Sequence, residues 1–467
     1  MTAITGTDAA VRPRSLLARV GLDRPELRAW AAYDWAISAL QTTVLVAVFP
    51  IFFVRVAGAE VPEVRATQAL ATANTLAALI VAVLSPVLGA ISDVAAAKKK
   101  MLFASMMVGV TATAGMFFIG RGDLGLAMTL FVIALVGATA SVVFYEALLP
   151  HIAAPSEVDR VSSAGYAIGY FGGGILLALN LAWIQRPDWF GLPSGPDLSE
   201  RAATLPARLA FVSVAVWWLV FSIPLFRRVR EPPRVMEPDE RLGQSVLVTP
   251  FIRLRETFQQ LRGFKQAFLM LLAFLIYNDG IQTVIKMATA YGTEIGIGQS
   301  ALITAVLLVQ FVGVPFAFLF GMLAGRIGAK RAILLGLVIY TAITIVGYFM
   351  RTAMHFFILA GLVGMVQGGT QALSRSLFAT LIPAHKSGEF FGFYSVFEKF
   401  ASIGGPLLFA LTIAVTGSSR NAILSVILFF AVGALLLAFV NVDEGRRAAV
   451  EAEQGVRSAG AGASGTG

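Results

Sequence analysis

Apolar runs of about twenty residues recur along the whole chain, and they constrain the fold more than any other feature of the sequence. Each run, as an α-helix, is long enough to cross the hydrocarbon core of a bilayer. Only 13% of the residues are charged, roughly half the share in soluble proteins. Lipid offers the backbone no hydrogen-bond partners and the runs are too long for barrel strands, so the spans must be helices. The sequence therefore predicts an all-α polytopic membrane protein.

Twelve transmembrane helices are predicted. They cover approximately residues 29–54, 65–91, 101–120, 124–148, 161–184, 207–226, 267–291, 300–324, 331–350, 355–380, 391–416 and 420–441. The longest polar interruption divides them six and six. The expected units are a basic N-terminal tail over 1–28, a six-helix bundle over 29–226, a linker over 227–265, a second six-helix bundle over 266–441, and a tail over 442–467. The Gly/Ala/Ser-rich end of that tail predicts disorder.

The linker carries a second pattern. Apolar residues recur at helical spacing from Phe251 to Phe264, with arginines between them. This predicts an amphipathic helix lying on the membrane interface. A solvated linker helix is the alternative.

The positions of Lys and Arg predict the orientation. With both termini in the cytoplasm, cytoplasmic segments carry 25 basic residues and outer segments carry eight. Such an excess is typical of cytoplasmic loops, so we expect both termini inside and the protein in the cell membrane. The same asymmetry explains the pI near 9.9 without a nucleic-acid partner. The chain has no cysteine, which excludes disulfides and thiolate metal sites, and no cofactor is expected.

The two halves repeat. The stretch "GAISDVAAAKKK" at 89–100 matches "GMLAGRIGAKRA" at 321–332 with an offset of 232. The stretch "LLPHIAAP" at 148–155 matches "LIPAHKSG" at 381–388, and Gly172–Gly173 matches Gly404–Gly405. Three matches in order predict a duplicated six-helix unit, and hence two pseudo-symmetric bundles.

The first repeated loop resembles the signature Gly-x3-Asp-(Arg/Lys)-x-Gly-x-(Arg/Lys)-(Arg/Lys) of the major facilitator superfamily, with Gly89, Asp93 and Lys98–Lys100 in place. The second copy keeps the basic residues but has Gly325 where the acid belongs. The resemblance implies a cytoplasmic latch between the halves. The gate candidates are Asp34, Asp93, Arg326, Lys330 and Arg331.

A narrower resemblance covers most of the chain. The stretches "RAWAAYDWAISALQTTVLVAVFPIFF", "LIYNDGIQTVI", "GGTQALSRSLFATLIP" and "EFFGFYSVFEKFASIGGPLLF" are similar to the vacuole-effluxer branch of that superfamily, and the chain looks like a bacterial-type member. The branch includes autophagy-related amino-acid exporters. Glu146 in "FYEALLP" departs from the polar, uncharged residue expected there.

Polar side chains concentrate on predicted helices 1, 4, 7 and 10, which line the central cavity in the major facilitator fold. Residues at i, i+3/i+4 and i+7 share one face of a helix. The candidates for substrate binding or proton coupling on these faces are Gln41, Glu146, Asp279, Gln282, Lys286, Gln371 and Arg375.

Charges inside the spans are the sharpest candidates, because each costs about 2.5–3.5 kcal/mol on insertion scales and usually serves the transport pathway. Asp279 lies near the predicted midplane and is the leading proton-coupling candidate, with Glu146 second, since desolvation disfavours a charged carboxylate. Asp34, Glu146 and Arg375 lie in the predicted cytoplasmic third. There they could form a salt bridge that closes the inner gate, or they could contact a ligand.

Two further pairs are interpreted as structural. Glu398 and Lys399 are adjacent on predicted helix 11 and therefore point apart, so structural pairing is favoured over the alternative, a role in transport. Tyr166 and Tyr170 share a face of predicted helix 5 with several glycines, which predicts close helix packing.

These features predict a secondary transporter that works by alternating access, not an enzyme. No Gly-x4-Gly-Lys-(Ser/Thr) loop is present, so energy would come from gradients. A zwitterion could place its ammonium by an acid and its carboxylate by Arg375, which agrees with proton-coupled amino-acid efflux by a monomer in the bilayer. The alternatives are a lipid, lysolipid or drug translocase, a non-transporting sensor, and an intramembrane aspartyl protease suggested by Tyr33-Asp34.

Overall fold

The computed structural model describes residues 16–233 and 263–464, apart from 196, 295, 296, 298 and 402. Within these residues, twelve helices are long and apolar enough to cross a membrane. They are α1 (Pro25–Ala57), α2 (Glu63–Val94), α3 (Lys98–Gly115), α4 (Leu124–Ala147), α5 (Val158–Gln185), α6 (Leu205–Arg228), α7 (Lys265–Glu294), α8 (Gln299–Ile327), α9 (Ala329–Tyr348), α10 (Ala353–Thr380), α11 (Ala384–Thr416) and α12 (Arg420–Phe439). A further helix, α13 (Val442–Ser464), follows the last span.

An even number of spans puts both ends of the chain on one side of the membrane. We call this side the terminal face and the opposite side the distal face. The twelve predicted helices are confirmed, with ends that differ by a few residues. The side of the cell on which each face lies stays a prediction.

Helices α1 and α11 contain irregular backbone. Helix α1 begins with Pro25, whose fixed φ suits a first helical turn, and it widens into π-helix over Leu40–Ala47 and again over Phe53–Ala57. Helix α11 is interrupted: its first half ends at Phe400 and its second half begins at Gly404. Irregular backbone at membrane depth is found where protein or a water-filled cavity surrounds it.

Equivalent glycine pairs pack the helices of each bundle. In the first bundle, Gly172 and Gly173 of α5 lie against α1, where a Cβ on Gly172 would be 2.7 Å from the Trp35 ring. In the second bundle, Gly404 and Gly405 of α11 lie against α7, where a Cβ on Gly404 would be 2.6 Å from an Asp279 carboxylate oxygen. The repeated offset in the sequence therefore marks the same packing role in both bundles.

The bundles meet where α2 crosses α11 and where α5 crosses α8. Gly89 and Gly388 approach so closely that a Cβ on either would overlap the backbone of the other. A Cβ on Gly321 of α8 would likewise lie 2.6 Å from Ser163 of α5. Small residues at these crossings allow the two backbones to come together.

The C-terminus differs from the prediction of a disordered tail, because Val442–Ser464 forms α13. Its first turn carries Asp443 and Glu444, which favour a helix N-terminus. Glu453 accepts a hydrogen bond of 2.7 Å from the Ala384 backbone, and Ala449 is buried. Contacts with the transmembrane body thus order a segment whose composition alone predicts disorder. The interfacial helix predicted in the linker falls within residues 234–262, outside the described residues.

Candidate functional site

A cavity of about 1180 Å³ lies between the two bundles. Its walls come from the distal halves of the helices: α2 contributes residues from Asn74 to Ala82, and α8 contributes residues from Leu302 to Gln310. The cavity extends to Tyr291 and Met350, at the distal ends of α7 and α9. The outer wall is mostly apolar, and the ionisable lining side chains that the structure describes lie at the inner end. We call this inner end the cavity floor; its charged members are Asp34, Glu146, Arg375, Glu398 and Lys399.

Arg375 of α10 is the centre of the floor and is only 2% exposed. Its Nε donates to the Ser162 hydroxyl at 2.9 Å, and its Nη2 donates to the Ser162 carbonyl at 3.0 Å. The guanidinium also lies over the rings of Tyr166 at 4.5 Å and Trp30 at 4.8 Å. All of these partners belong to the other bundle, so this arginine holds the bundles together.

Two carboxylates from the first bundle complete the cluster. Asp34 lies 3.3 Å from Arg375 Nη2 and also accepts a hydrogen bond of 2.7 Å from the Tyr145 hydroxyl. Glu146 is further away, at 3.9 Å from Arg375 Nη1. The sequence left two alternatives for Asp34, Glu146 and Arg375: a salt bridge that closes the gate, or contact with a ligand. The structure brings the three side chains together as the salt-bridge alternative requires. Among the described residues, Asp34 therefore has two side-chain partners within 3.3 Å, whereas the contact of Glu146 with Arg375 is longer, at 3.9 Å.

Hydrogen bonds between the bundles close the protein below this floor. Ser376 donates to Asp159 at 2.6 Å, Ser162 donates to the Ala372 carbonyl at 2.7 Å, and Ser387 donates to the Ala147 carbonyl at 2.8 Å. These contacts all lie on the terminal side. The structure is therefore closed at the terminal face and has its cavity at the distal face.

Asp93 lies in this closed region, as its prediction as a gate residue requires. It forms a buried ion pair with Lys98, and its Oδ2 accepts a hydrogen bond of 2.9 Å from the Glu389 backbone of the other bundle. The carboxylate therefore joins the end of α2 to the start of α11.

The second copy of the loop does not occupy an equivalent place, which corrects part of the gate prediction. Arg326 and Arg331 are exposed on the terminal face. Lys330 donates to the carbonyls of Ala438 and Val440 at 2.7 and 2.8 Å, at the end of α12 in its own bundle. A lysine in that position satisfies carbonyls that the helix end leaves without intrahelical partners.

Asp279 is buried and, unlike Gln282 and Thr283 on the same helix, is not among the residues that line the cavity. Its Oδ1 accepts a hydrogen bond of 2.8 Å from the Gly405 backbone, in the first turn of the second half of α11. A carboxylate at this point satisfies a backbone donor and interacts favourably with the helix dipole. The helix period puts Asp279 on the polar face of α7 but cannot reveal that a broken helix lies beside it.

The predicted glutamines do line the cavity. Gln41, Gln282 and Gln371 are all part of its wall. Gln371 also donates to Asn278 Oδ1 at 2.6 Å, which joins α10 to α7. Lys286 lies on α7, and its side chain is outside the described part of the structure.

Sequence reasoning missed the place of Glu398 and Lys399. Both are half-buried, and both line the cavity just before the interruption of α11. Tyr166, Tyr170 and Tyr394 line it as well. The available signal was the Gly404–Gly405 pair, which follows these charges closely and marks the point where the helix can break.

A family model described as "Vacuole effluxer Atg22 like" matches residues 62–450 of the chain. The chain belongs to this family. The resemblance seen in the sequence is confirmed, and membership of a transporter family excludes the protease alternative.

Relatives of this Atg22-like chain occur in bacteria and fungi. It is 38% identical over 413 residues to an uncharacterised major facilitator transporter, YxiO, of Bacillus subtilis, covering 88% of this chain and 94% of that protein. It is 27% identical over 318 residues to autophagy-related protein 22 of Yarrowia lipolytica, covering 62% of this chain and 51% of the fungal protein. The match thus spans about half of the fungal protein's length.

Solved structures confirm the fold. The proton:xylose symporter XylE aligns with a TM-score of 0.64 at 13% identity, covering 89% of this chain and 95% of that one. The transporter FucP in its outward conformation aligns with a TM-score of 0.61 at 13% identity, covering 90% and 99%. The Atg22-like chain is therefore a multi-pass membrane protein with the major facilitator fold of two six-helix bundles.

Proposed function

We propose that this Atg22-like transporter exports amino acids across the cell membrane by alternating access, coupled to protons, and that it works as a monomer with both termini in the cytoplasm. The observation that carries the proposal is a cavity between the two bundles that is closed at one face by contacts between them. A site enclosed in this way can be exposed to the other side when the bundles rock against each other.

The floor supports a substrate with both signs of charge. Carboxylates and basic side chains meet there within one polar layer, while the outer wall is apolar. A zwitterion satisfies both kinds of group at once, whereas a substrate of one sign would leave the opposite charges of the floor without a ligand partner. This chemistry agrees with amino acids as the cargo.

Proton coupling is assigned to Glu146 in preference to Asp279. Glu146 lies in the cavity wall and faces Arg375 across the bundle interface. A proton on Glu146 removes its charge and so weakens one contact that keeps the terminal face closed. Asp279 accepts a hydrogen bond from Gly405 of its own bundle and is not among the residues that line the cavity.

Counterflow in proteoliposomes tests the proposal. Wild-type protein is expected to exchange labelled L-phenylalanine and to accumulate it when a pH gradient is applied. Glu146→Gln is expected to keep exchange but lose accumulation by at least tenfold, while Asp279→Asn keeps accumulation. Glu451→Gln, an exposed site on α13, is the control.

Two results would contradict the proposal. Failure of exchange for every neutral amino acid would remove the amino-acid assignment. Accumulation that persists in Glu146→Gln would remove the proton assignment to that residue.

A translocase of lysolipids or drugs is the second candidate. Its support is the mostly apolar outer wall and the cavity volume of about 1180 Å³, which exceeds the roughly 300–1,000 Å³ of ordinary ligand pockets. Flux of a fluorescent lysolipid in the same proteoliposomes, without exchange of any amino acid, would favour this candidate.

A further inference from the structure

Charged side chains at the cavity floor fall into two groups. Arg375, Asp34 and Glu146 contact one another and are surrounded by aromatic rings. Glu398 and Lys399 of α11 also line the cavity, yet within the described residues neither side chain forms a hydrogen bond or an ion pair. The second group therefore has its charges available to a solute.

Arg375 is poorly suited to anchor the carboxylate of a substrate. It is 2% exposed, and its guanidinium already donates to Ser162 and lies 3.3 Å from Asp34. To bind a carboxylate it would have to give up contacts that join the two bundles. A buried charge that loses its partner is strongly destabilising.

Lys399 and Glu398 have the opposite character. Both are half-buried in the last turn of the first half of α11, which ends at Phe400. Both line the same cavity as Glu146. Consecutive residues of a helix point in different directions, but both of these side chains line the cavity. A solute in the cavity can therefore meet an ammonium and a carboxylate, the counterparts of the two charged groups of an α-amino acid.

We propose that Lys399 and Glu398 form the anchor for the substrate's head group, with Lys399 binding the α-carboxylate and Glu398 the α-ammonium. The inference rests on the proposed transport of amino acids. It assigns carboxylate binding to Lys399 and leaves Arg375 the role of holding the two bundles together. The ligand class is an α-amino acid zwitterion, with its side chain directed toward the apolar outer wall.

Three probes that differ in one charged group test the assignment in the full-length protein. L-phenylalanine has both groups, 2-phenylethylamine lacks the carboxylate, and 3-phenylpropanoate lacks the ammonium. Inhibition of L-phenylalanine exchange by each probe gives its apparent affinity.

Lys399→Gln is expected to lower the apparent affinity for L-phenylalanine about tenfold or more, and a tenfold change corresponds to about 1.4 kcal/mol. The same variant should change 2-phenylethylamine less than twofold. Glu398→Gln should lower the apparent affinity for L-phenylalanine by a similar factor and change that for 3-phenylpropanoate less than twofold. Lys399→Arg should stay within about threefold of wild type because it keeps the positive charge.

Lys265→Gln, which removes an exposed lysine at the start of α7, is the matched control and should leave all three affinities unchanged. A loss in Lys399→Gln that is equal for L-phenylalanine and the amine would overturn the proposal, as would no loss at all. A carboxylate-selective loss in Arg375→Lys would return the anchor to Arg375. If the wild-type protein exchanges no amino acid, it is the proposed function that fails, and this result is obtained before any variant is measured.

Discussion

The two bundles use the same glycine pair in different ways. Gly172 and Gly173 lie in an uninterrupted α5, where the Thr42 hydroxyl of α1 donates to the Gly173 carbonyl at 3.1 Å. Gly404 and Gly405 open the second half of an interrupted α11, where the Gly405 N–H donates to a carboxylate of α7. Duplication has kept the packing position while the hydrogen bond has reversed its direction.

This difference shows what the repeat preserves. Close approach of two helices depends on small residues, and both copies retain them. The chemistry beside them depends on whether the helix continues, because an interrupted helix exposes N–H groups that need an acceptor. The second bundle thus gains a break in the cavity wall, and the charges of α11 lie directly before it.

The largest expected effect on stability comes from breaking the ion pair in the first of the two repeated loops. Asp93→Ala leaves Lys98 buried without its partner, and removing one member of a buried ion pair costs about 3–5 kcal/mol. The second copy, with Gly325 in place of the acid, has no such pair to lose. Because the chain lacks cysteine, spin labels on Ala95→Cys and Arg331→Cys report the separation of the bundles on the terminal face without background.

The labelled Asp93→Ala protein is expected to shift strongly toward longer distances. The variant Lys100→Ala, in the same basic run, should keep the wild-type distribution. An unchanged distribution in Asp93→Ala would show that the two loop copies are equivalent after all.

Substitution of the glycines gives the next effect. A Cβ on Gly405 would overlap the Thr283 hydroxyl and lie 2.8 Å from Asp279, whereas a Cβ on Gly173 would lie 3.0 Å from its nearest neighbours. Overpacking of this kind costs about 1–3 kcal/mol, and Gly405→Ala should lie at the upper end. Thermal unfolding in detergent compares the two variants. A larger loss in Gly173→Ala would reverse the contrast between the bundles.

The hydrogen bonds at these pairs give a smaller effect. Asp279→Ala should cost about 2 kcal/mol, since bonds to charged groups contribute about 1.5–3 kcal/mol. Thr42→Val should cost about 1 kcal/mol, as for a neutral bond. The same unfolding measurement distinguishes them. Wild-type stability in Asp279→Ala, together with lost proton-driven accumulation, would restore Asp279 to the coupling role that the sequence suggested.

Lys330 gives the smallest effect. Lys330→Ala removes a side chain from the end of α12 and should cost below about 1 kcal/mol, the usual range for a charge at a helix terminus. The spin-label distances across the terminal face should not change, because the contact lies within one bundle. A shift to longer distances would place Lys330 in the gate with Asp93.

The sequence predicted most of the fold because the length of apolar runs, the positions of basic residues and the repeat offset can all be seen without knowing how the helices pack. It placed Gln41, Glu146 and Arg375 on cavity-facing helices for the same reason. It could not place Asp279 or Lys330, since their partners lie on helices more than 100 residues away and only packing brings them together. It also treated Glu398 and Lys399 as a structural pair, because periodicity carries no sign that α11 ends between them and Gly404.

The charge of the cavity floor also bears on the electrical signature of the transport cycle. Asp34, Glu146 and Glu398 outnumber Arg375 and Lys399 by one, so this floor is negative by one when every member is ionised. A zwitterion would cross without carrying current. Any steady current recorded during net amino-acid transport would therefore belong to the coupling ion alone, and each elementary charge that moves across 100 mV is worth about 2.3 kcal/mol. The magnitude and sign of that current would count the ions moved per turnover.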